Sequence, residues 1–172
     1  MKASGIPWTI LKPHYYMQNL LSSASSVASD GMLYMNLGEG RVGTIDGRDV
    51  GLFAARVIEQ PKRHAGKTYT PTGPESISMS DAAAALAQVL GKPVTYVALP
   101  QDAARQAMLG FGLSPWFVGN LVDYGRVYSE GWGDFTTDDF KRVAGREPCS
   151  FKQFATDFAA AFGGSRVPAT HP

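Results

Sequence analysis

Apolar positions recur along this chain with two periods, and each change of period marks an element. Trp8-Thr-Ile-Leu-Lys12 is a short β-branched and apolar run closed by Pro13, which predicts a buried strand. After Pro13, Tyr16, Leu20 and Ala24, with Leu21 beside them, repeat at helical spacing until Asp30-Gly31. Met32-Leu-Tyr-Met35 predicts a second strand, Gly38-Glu-Gly40 a turn, and Arg41-Val-Gly-Thr-Ile45 a further extended run. Val50, Phe53, Ala54, Val57 and Ile58 then share one face of a helix, with Asp49 near its start as the expected cap.

The second half is richer in helix. Lys67-Thr-Tyr-Thr70 reads as a strand and Pro71-Thr-Gly-Pro74 as a turn. Ser78-Met-Ser-Asp81 resembles a capping box, and it opens a helix whose stripe is Ala83, Leu86, Ala87 and Leu90, stopped by Gly91. Pro93 to Ala98 predicts another strand, and Pro100 begins a helix through about Phe111. Ser114-Pro115 is an N-cap followed by a first-turn proline, with Phe117, Leu121, Tyr124 and Tyr128 on the face that follows. Thr136 to Asp139 caps a short helix ending at Gly145. Ser150-Phe-Lys-Gln153 opens the last helix, lined by Phe151, Phe154, Phe158 and Phe162.

The order β, α, β(β), α, β, α, β and four helices is that of an α/β chain under a helical cap, with no internal repeat. Residues 1–162 read as one body and residues 163–172, which lack periodic apolar positions, as a loose tail. Apolar residues make up 44% and charged residues 18%, values that separate a globular chain from a disordered one. A net charge of +1 gives no reason to expect nucleic acid or an anionic membrane as partner. No apolar run reaches the length of a membrane span, and Met1 to Pro7 lack the regions of a signal peptide, so a cytoplasmic protein is expected. Cys149 is the single cysteine and is expected to be a partly buried, inert thiol.

Several segments, taken in order, resemble one family. Ser4-Gly-Ile-Pro-Trp-Thr-Ile-Leu-Lys-Pro-His-Tyr-Tyr-Met-Gln-Asn19 looks like a late Rossmann strand that ends in a basic residue, a proline and an aromatic loop. Ile45-Asp-Gly-Arg-Asp-Val50 resembles an Asp-x-Arg-Asp-Val element opening a later helix. Lys67 to Asp81, Gly91-Lys-Pro-Val-Thr-Tyr-Val97 and Gly145 to Phe154 follow in matching order. The set resembles the C-terminal, substrate-side half of the NmrA-like group of atypical short-chain dehydrogenase/reductases. Lys12 stands where that family usually has arginine, and Gly47 and Gly51 replace larger residues.

The resemblance implies the C-terminal half of a Rossmann-like fold, with a small mixed sheet and a helical substrate-side cap. It implies NAD(P) as cofactor and hydride transfer to a small molecule, quinone-like or aromatic, as chemistry. It also implies a cofactor-side loop of Pro13, His14 and Tyr15, and a substrate side of Tyr16, Asn19, Trp116, Phe117 and Tyr124. Without the resemblance, Tyr16 and Met17 read as core, His14 as a solvated loop residue, and Trp116, Phe117 and Tyr124 as ordinary helix core. His64 reads as solvated in a basic loop, and three scattered histidines give no metal-ligand spacing.

Members of the family open with Gly-x-x-Gly-x-x-Gly feeding a helix that receives the pyrophosphate. That pattern does not occur in these residues, and Gly38-Glu-Gly-Arg-Val-Gly43, which spells Gly-x-Gly-x-x-Gly, reads as a turn. Ahead of the first strand lies only Met1 to Pro7, where Ser4-Gly5 looks like the end of a helix. The expectation is therefore a chain that does not hold NAD(P) alone, has no assignable catalytic residue, and pairs with a missing N-terminal half or a second copy. A non-catalytic ligand-sensing or regulatory module of the same family is the competing expectation.

Overall fold

The computed structural model describes residues 5–164. The helix-end signal at Ser4 and the tail from Ser165 onward lie outside the described residues. The chain is an α/β fold whose strands are only two to four residues long. They are β1 (Thr9–Leu11), β2 (Met32–Met35), β3 (Arg41–Val42), β4 (Lys67–Tyr69), β5 (Ile77–Ser78) and β6 (Thr95–Ala98). Where the sequence predicts one small mixed sheet, the described strands form three two-stranded ladders: β1 with β4 and β2 with β6 in parallel, and β3 with β5 antiparallel.

The chain leaving β1 keeps the segment after β4 as its neighbour through His14 and gains Ile45 as a second neighbour from Tyr15. Lys12 N donates to Tyr69 O at 2.8 Å and His14 N to Pro71 O at 3.1 Å on one side. On the other, Ile45 N donates to Tyr15 O at 2.8 Å and Met17 N to Ile45 O at 2.9 Å. Proline has no N–H to spend on a ladder, so it suits the stretch before the second neighbour is gained. The exit of β1 is therefore held from both sides, and its side chains are fixed in register with Ile45 and the turn after β4.

The helices are α1 (Ala24–Asp30), α2 (Gly47–Glu59), α3 (Pro61–His64), α4 (Met79–Leu90), α5 (Gln101–Gly110), α6 (Pro115–Ser129), α7 (Asp139–Ala144) and α8 (Phe151–Asp157). The helix expected from Tyr16 begins instead as a 3₁₀ segment, Met17–Ser23. Its buried residues are Met17, Leu20 and Ser23, three apart, which is the 3₁₀ period and not the α period. Tyr16 itself is extended, tied to Ile45 by an isolated bridge.

The capping box of α4 is complete: Ser78 accepts from Asp81 N, and Asp81 accepts from Ser78 N. Helix α2 starts earlier than its sequence suggests. Asp46, not Asp49, is its N-cap and accepts from Arg48 N at 2.8 Å. Gly47 at the first helical position hides this start, because glycine carries no helix signal. Neither α3 nor β5 is foreseen from the sequence, since four and two residues are too few to show a period.

Two clusters form the core. Met17, Leu20, Val27 and Leu33 pack with Leu86 of α4 and with Phe151, Phe154 and Phe162. Ile45, Phe53, Val57, Tyr69 and Phe140 make the second, under α2 and α7. The final phenylalanines thus do what their spacing predicts, although the helix itself breaks at Phe158 into a 3₁₀ turn, Ala159–Phe162. None of the helices among the described residues is long and apolar enough to cross a membrane.

Candidate functional site

The loop leaving β1 packs against the C-terminal end of α6 and the chain that follows it. His14 is buried, and its ring stacks on Phe135 with centroids 4.5 Å apart and planes 16° from parallel. His14 Nε2 lies 3.0 Å from Gly133 O, so the neutral tautomer with its proton on Nε2 satisfies this carbonyl. Burial lowers the His14 pKa below the ordinary imidazole value, and the Gly133 carbonyl only partly offsets this. His14 is therefore a packed neutral ring and not the solvated loop residue that composition suggests.

Tyr15 turns the other way, into the core. Its ring meets Tyr128 edge to face at 5.6 Å. Burial raises its hydroxyl well above the ordinary tyrosine range, and the approaching Asn19 amide partly offsets that shift. Tyr16 and Asn19 remain exposed at the surface of the same loop.

From this root an aromatic strip runs outward. Tyr128 stacks on Tyr124 at 6.1 Å and tilts against Trp132 at 5.6 Å. Tyr128 is buried, while Tyr124, Trp132 and Phe135 are each more than a third exposed. Trp116 and Phe117, at the start of α6, are also exposed, so the core reading fails for them and for Tyr124. Trp132 and Phe135 are not singled out by the sequence, because they follow the end of α6 and belong to no periodic stripe.

Close backbone packing holds α6 in place. A Cβ on Gly40 would sit 2.0 Å from Tyr128 O, and one on Gly43 2.2 Å from Phe135 O. A Cβ on Gly125 would fall 2.0 Å from Asn36 Nδ2. Asn36 in turn donates to Gln101 Oε1 at 2.8 Å and accepts from Gln101 Nε2 on its own carbonyl at 2.9 Å, which fastens the start of α5. Two glycines of the Gly38–Gly43 run are thus used for close approach to α6 and its exit, and the run carries β3 within it, with α2 beginning only at Gly47 behind its Asp46 cap.

Beside the loop lies a second polar group. Asp46 is fully buried and accepts from Gln18 Nε2 at 2.9 Å and from Arg48 Nη2 at 2.6 Å. Burial alone would raise its carboxyl, but the Arg48 hydrogen bonds and the Gln18 amide outweigh it and hold the group below the ordinary carboxylate range. Arg48 also reaches Asp157 at 2.7 Å, so the pair clamps α2 to α8. Asp49, buried one turn on, accepts from Arg146 Nη2 and from Cys149 N, both at 2.6 Å. Burial first, then Asp46 and Asp49, push the Cys149 thiol up to about 11, which keeps it protonated and unreactive at neutral pH. This group is a structural clamp and offers no acid–base pair to a ligand.

Comparison with known proteins gives the site a context. The chain is 36% identical to the NAD(P)H azoreductase of Xenophilus azovorans, over 95% of its own length and 57% of that protein. It is 32% identical to quinone oxidoreductase 2 of Escherichia coli strain K12 over 70% of its length and 42% of that protein. The crystal structure of the NADPH-dependent quinone oxidoreductase QOR2 of E. coli, complexed with NADPH, superposes with a TM-score of 0.81 at 26% identity, covering 92% of this chain and 56% of that one. The triphenylmethane reductase of Citrobacter sp. shares the fold, with a TM-score of 0.77 at 22% identity over 92% of this chain and 55% of that one. The chain spans about half the length of the curated relatives it matches. The family model that describes the NmrA-like family matches residues 1–122, and the chain belongs to that family.

Proposed function

We propose that this chain supplies the substrate side of an NAD(P)H-dependent reductase cleft, and that its acceptor is a flat aromatic or quinone-like molecule. The observation that carries this reading is the aromatic strip rooted on His14 and Tyr15, with Tyr124, Trp132 and Phe135 leaving ring surface open. Offset stacking on several rings favours a planar, electron-poor partner. The names of the azo and quinone reductases among its relatives support the same substrate class.

In this reading Pro13, His14 and Tyr15 set the floor of the cleft beside the cofactor. Tyr16 and Asn19 offer a ring and an amide to the acceptor, and Trp116, Phe117 and Tyr124 extend the wall along α6. NAD(P)H, when bound, supplies the hydride. The Gly38–Gly43 run, whose Gly40 and Gly43 are spent on packing and which carries β3 within it, supports a reading in which the diphosphate is held elsewhere. We assign the diphosphate to residues other than these.

Tryptophan emission tests the acceptor side without any cofactor. Titration with 1,4-naphthoquinone should quench emission saturably, and Trp132→Phe should remove most of the saturable component. Unsaturable quenching, the same in Trp132→Phe as in the parent, would count against an acceptor surface at this strip.

A further inference from the structure

A second cavity, of about 350 Å³, lies between α3, β4 and α7, lined by Arg63, His64, Lys67, Tyr69, Arg142 and Val143. It stands at the opposite end of the parallel pair from the aromatic cleft. Lys67 pairs in register with Thr9 at the start of β1, whereas the cleft begins beyond Lys12 at its exit. Its chemistry is also different, because basic groups dominate the lining.

Each of those groups can be traced. The side chain of Lys67 has no hydrogen bond or ion pair among the described residues. Arg63 reaches only a neutral partner, Gln60 Oε1 at 3.2 Å. Arg142 is paired with Asp139, the one carboxylate that α7 brings close, and Asp139 is also held by Thr70 N at 2.7 Å. His64 is buried, contrary to its sequence reading as a solvated residue, and its Nδ1 lies 2.8 Å from the Tyr69 hydroxyl. That bond fixes the ring, and Nε2 has no partner among the described residues. Burial first, then Lys67 and Arg63, hold His64 below the ordinary imidazole value, so the site concentrates positive potential that one carboxylate does not cancel.

We propose that this cavity binds a small phosphomonoester, with Arg63, Lys67 and Arg142 taking the phosphate oxygens and His64 Nε2 donating a further hydrogen bond. The volume exceeds what a bare phosphate fills and falls at the lower end of small-molecule pockets, which leaves room for a short organic group. Arginine and lysine donors around phosphate are the pairing that charge-assisted hydrogen bonding favours. An anion seated against His64 stabilises its protonated form, so binding and protonation reinforce each other.

The test follows the His64 ring by proton–carbon NMR while inorganic phosphate, and then glucose 6-phosphate, is added to the protein. Both should move the His64 signals saturably, and the sugar phosphate should bind at least as tightly. Lys67→Ala and Arg63→Ala, at exposed positions that leave the core intact, should each weaken binding about tenfold. Sulfate, whose own charge does not change near neutrality, should bind more tightly as pH falls toward 6. Signals that do not move, that move equally with chloride at matched ionic strength, or that respond identically in Lys67→Ala would overturn the proposal.

Discussion

His14 lies flat against Phe135, centroids 4.5 Å apart, and this stack joins the loop leaving β1 to the chain leaving α6. The two residues are far apart in sequence, yet they fix the root of the aromatic strip. A stacked pair of this kind contributes about 0.5–1.5 kcal/mol beyond the area it buries. His14→Ala, Phe135→Ala and the double variant, compared by urea denaturation, should therefore show a coupling of about 1 kcal/mol. Additivity within about 0.3 kcal/mol would mean that the rings are neighbours without being partners.

Which parts of this arrangement could be read beforehand follows from how local each signal is. Ser78 with Asp81, Ser114 with Pro115, and Gly91 and Gly145 as helix stops are decided within a few residues, and the structure has them all. Asp46 is as local a cap, but Gly47 follows it and the more familiar Asp49 draws attention away. His64 could not be placed from sequence, since its partner Tyr69 sits on the strand beyond it and Lys62 and Arg63 suggest solvent. The exposure of Trp116, Phe117 and Tyr124 runs against periodicity, which finds a helix face but cannot say whether another element covers it. The family resemblance implies a β1 exit loop beside a cleft. It does not separate buried His14 and half-buried Tyr15 from exposed Tyr16, because that depends on where α6 lies.

Acid should act on this protein in two stages. His14 titrates below 6.5 in the folded chain, because burial opposes its charge. The unfolded chain therefore takes up a proton that the folded one resists, and stability falls as pH drops below about 6.5. His64 is shifted in the same direction and adds to this stage. Asp46 behaves differently: its folded value lies below 3.8, so its contribution is complete above 3.8 and is lost as pH falls past it toward the folded value. Melting temperature against pH should show a shallow decline starting near pH 6.5 and a steep one below about 4. His14→Phe, which keeps a ring on Phe135 but has no proton to gain, should flatten the first stage by up to about 1.4 kcal/mol per pH unit. An unchanged slope in that variant would remove His14 from the explanation.

Two glycines should respond to alanine with opposite signs. Gly40 lets the turn after β2 touch the end of α6, and a methyl group there would sit 2.0 Å from Tyr128 O. That neighbour is backbone and cannot swing aside, so either the turn or α6 must move. Overpacking of this kind costs about 1–3 kcal/mol, and the displacement should carry into the strip through Tyr128. Gly51 lies within α2 on its exposed side, with nothing within 4 Å of a Cβ. Alanine there removes only the entropic penalty of glycine in a helix, a gain of about 0.5–1 kcal/mol. Urea denaturation of Gly40→Ala and Gly51→Ala side by side measures both. Naphthoquinone quenching should weaken in Gly40→Ala alone, because only that change shifts α6 against the β1 exit. A neutral Gly40→Ala would mean that α6 is not seated on this turn, and the strip would then lack the rigid support that a stacking surface requires.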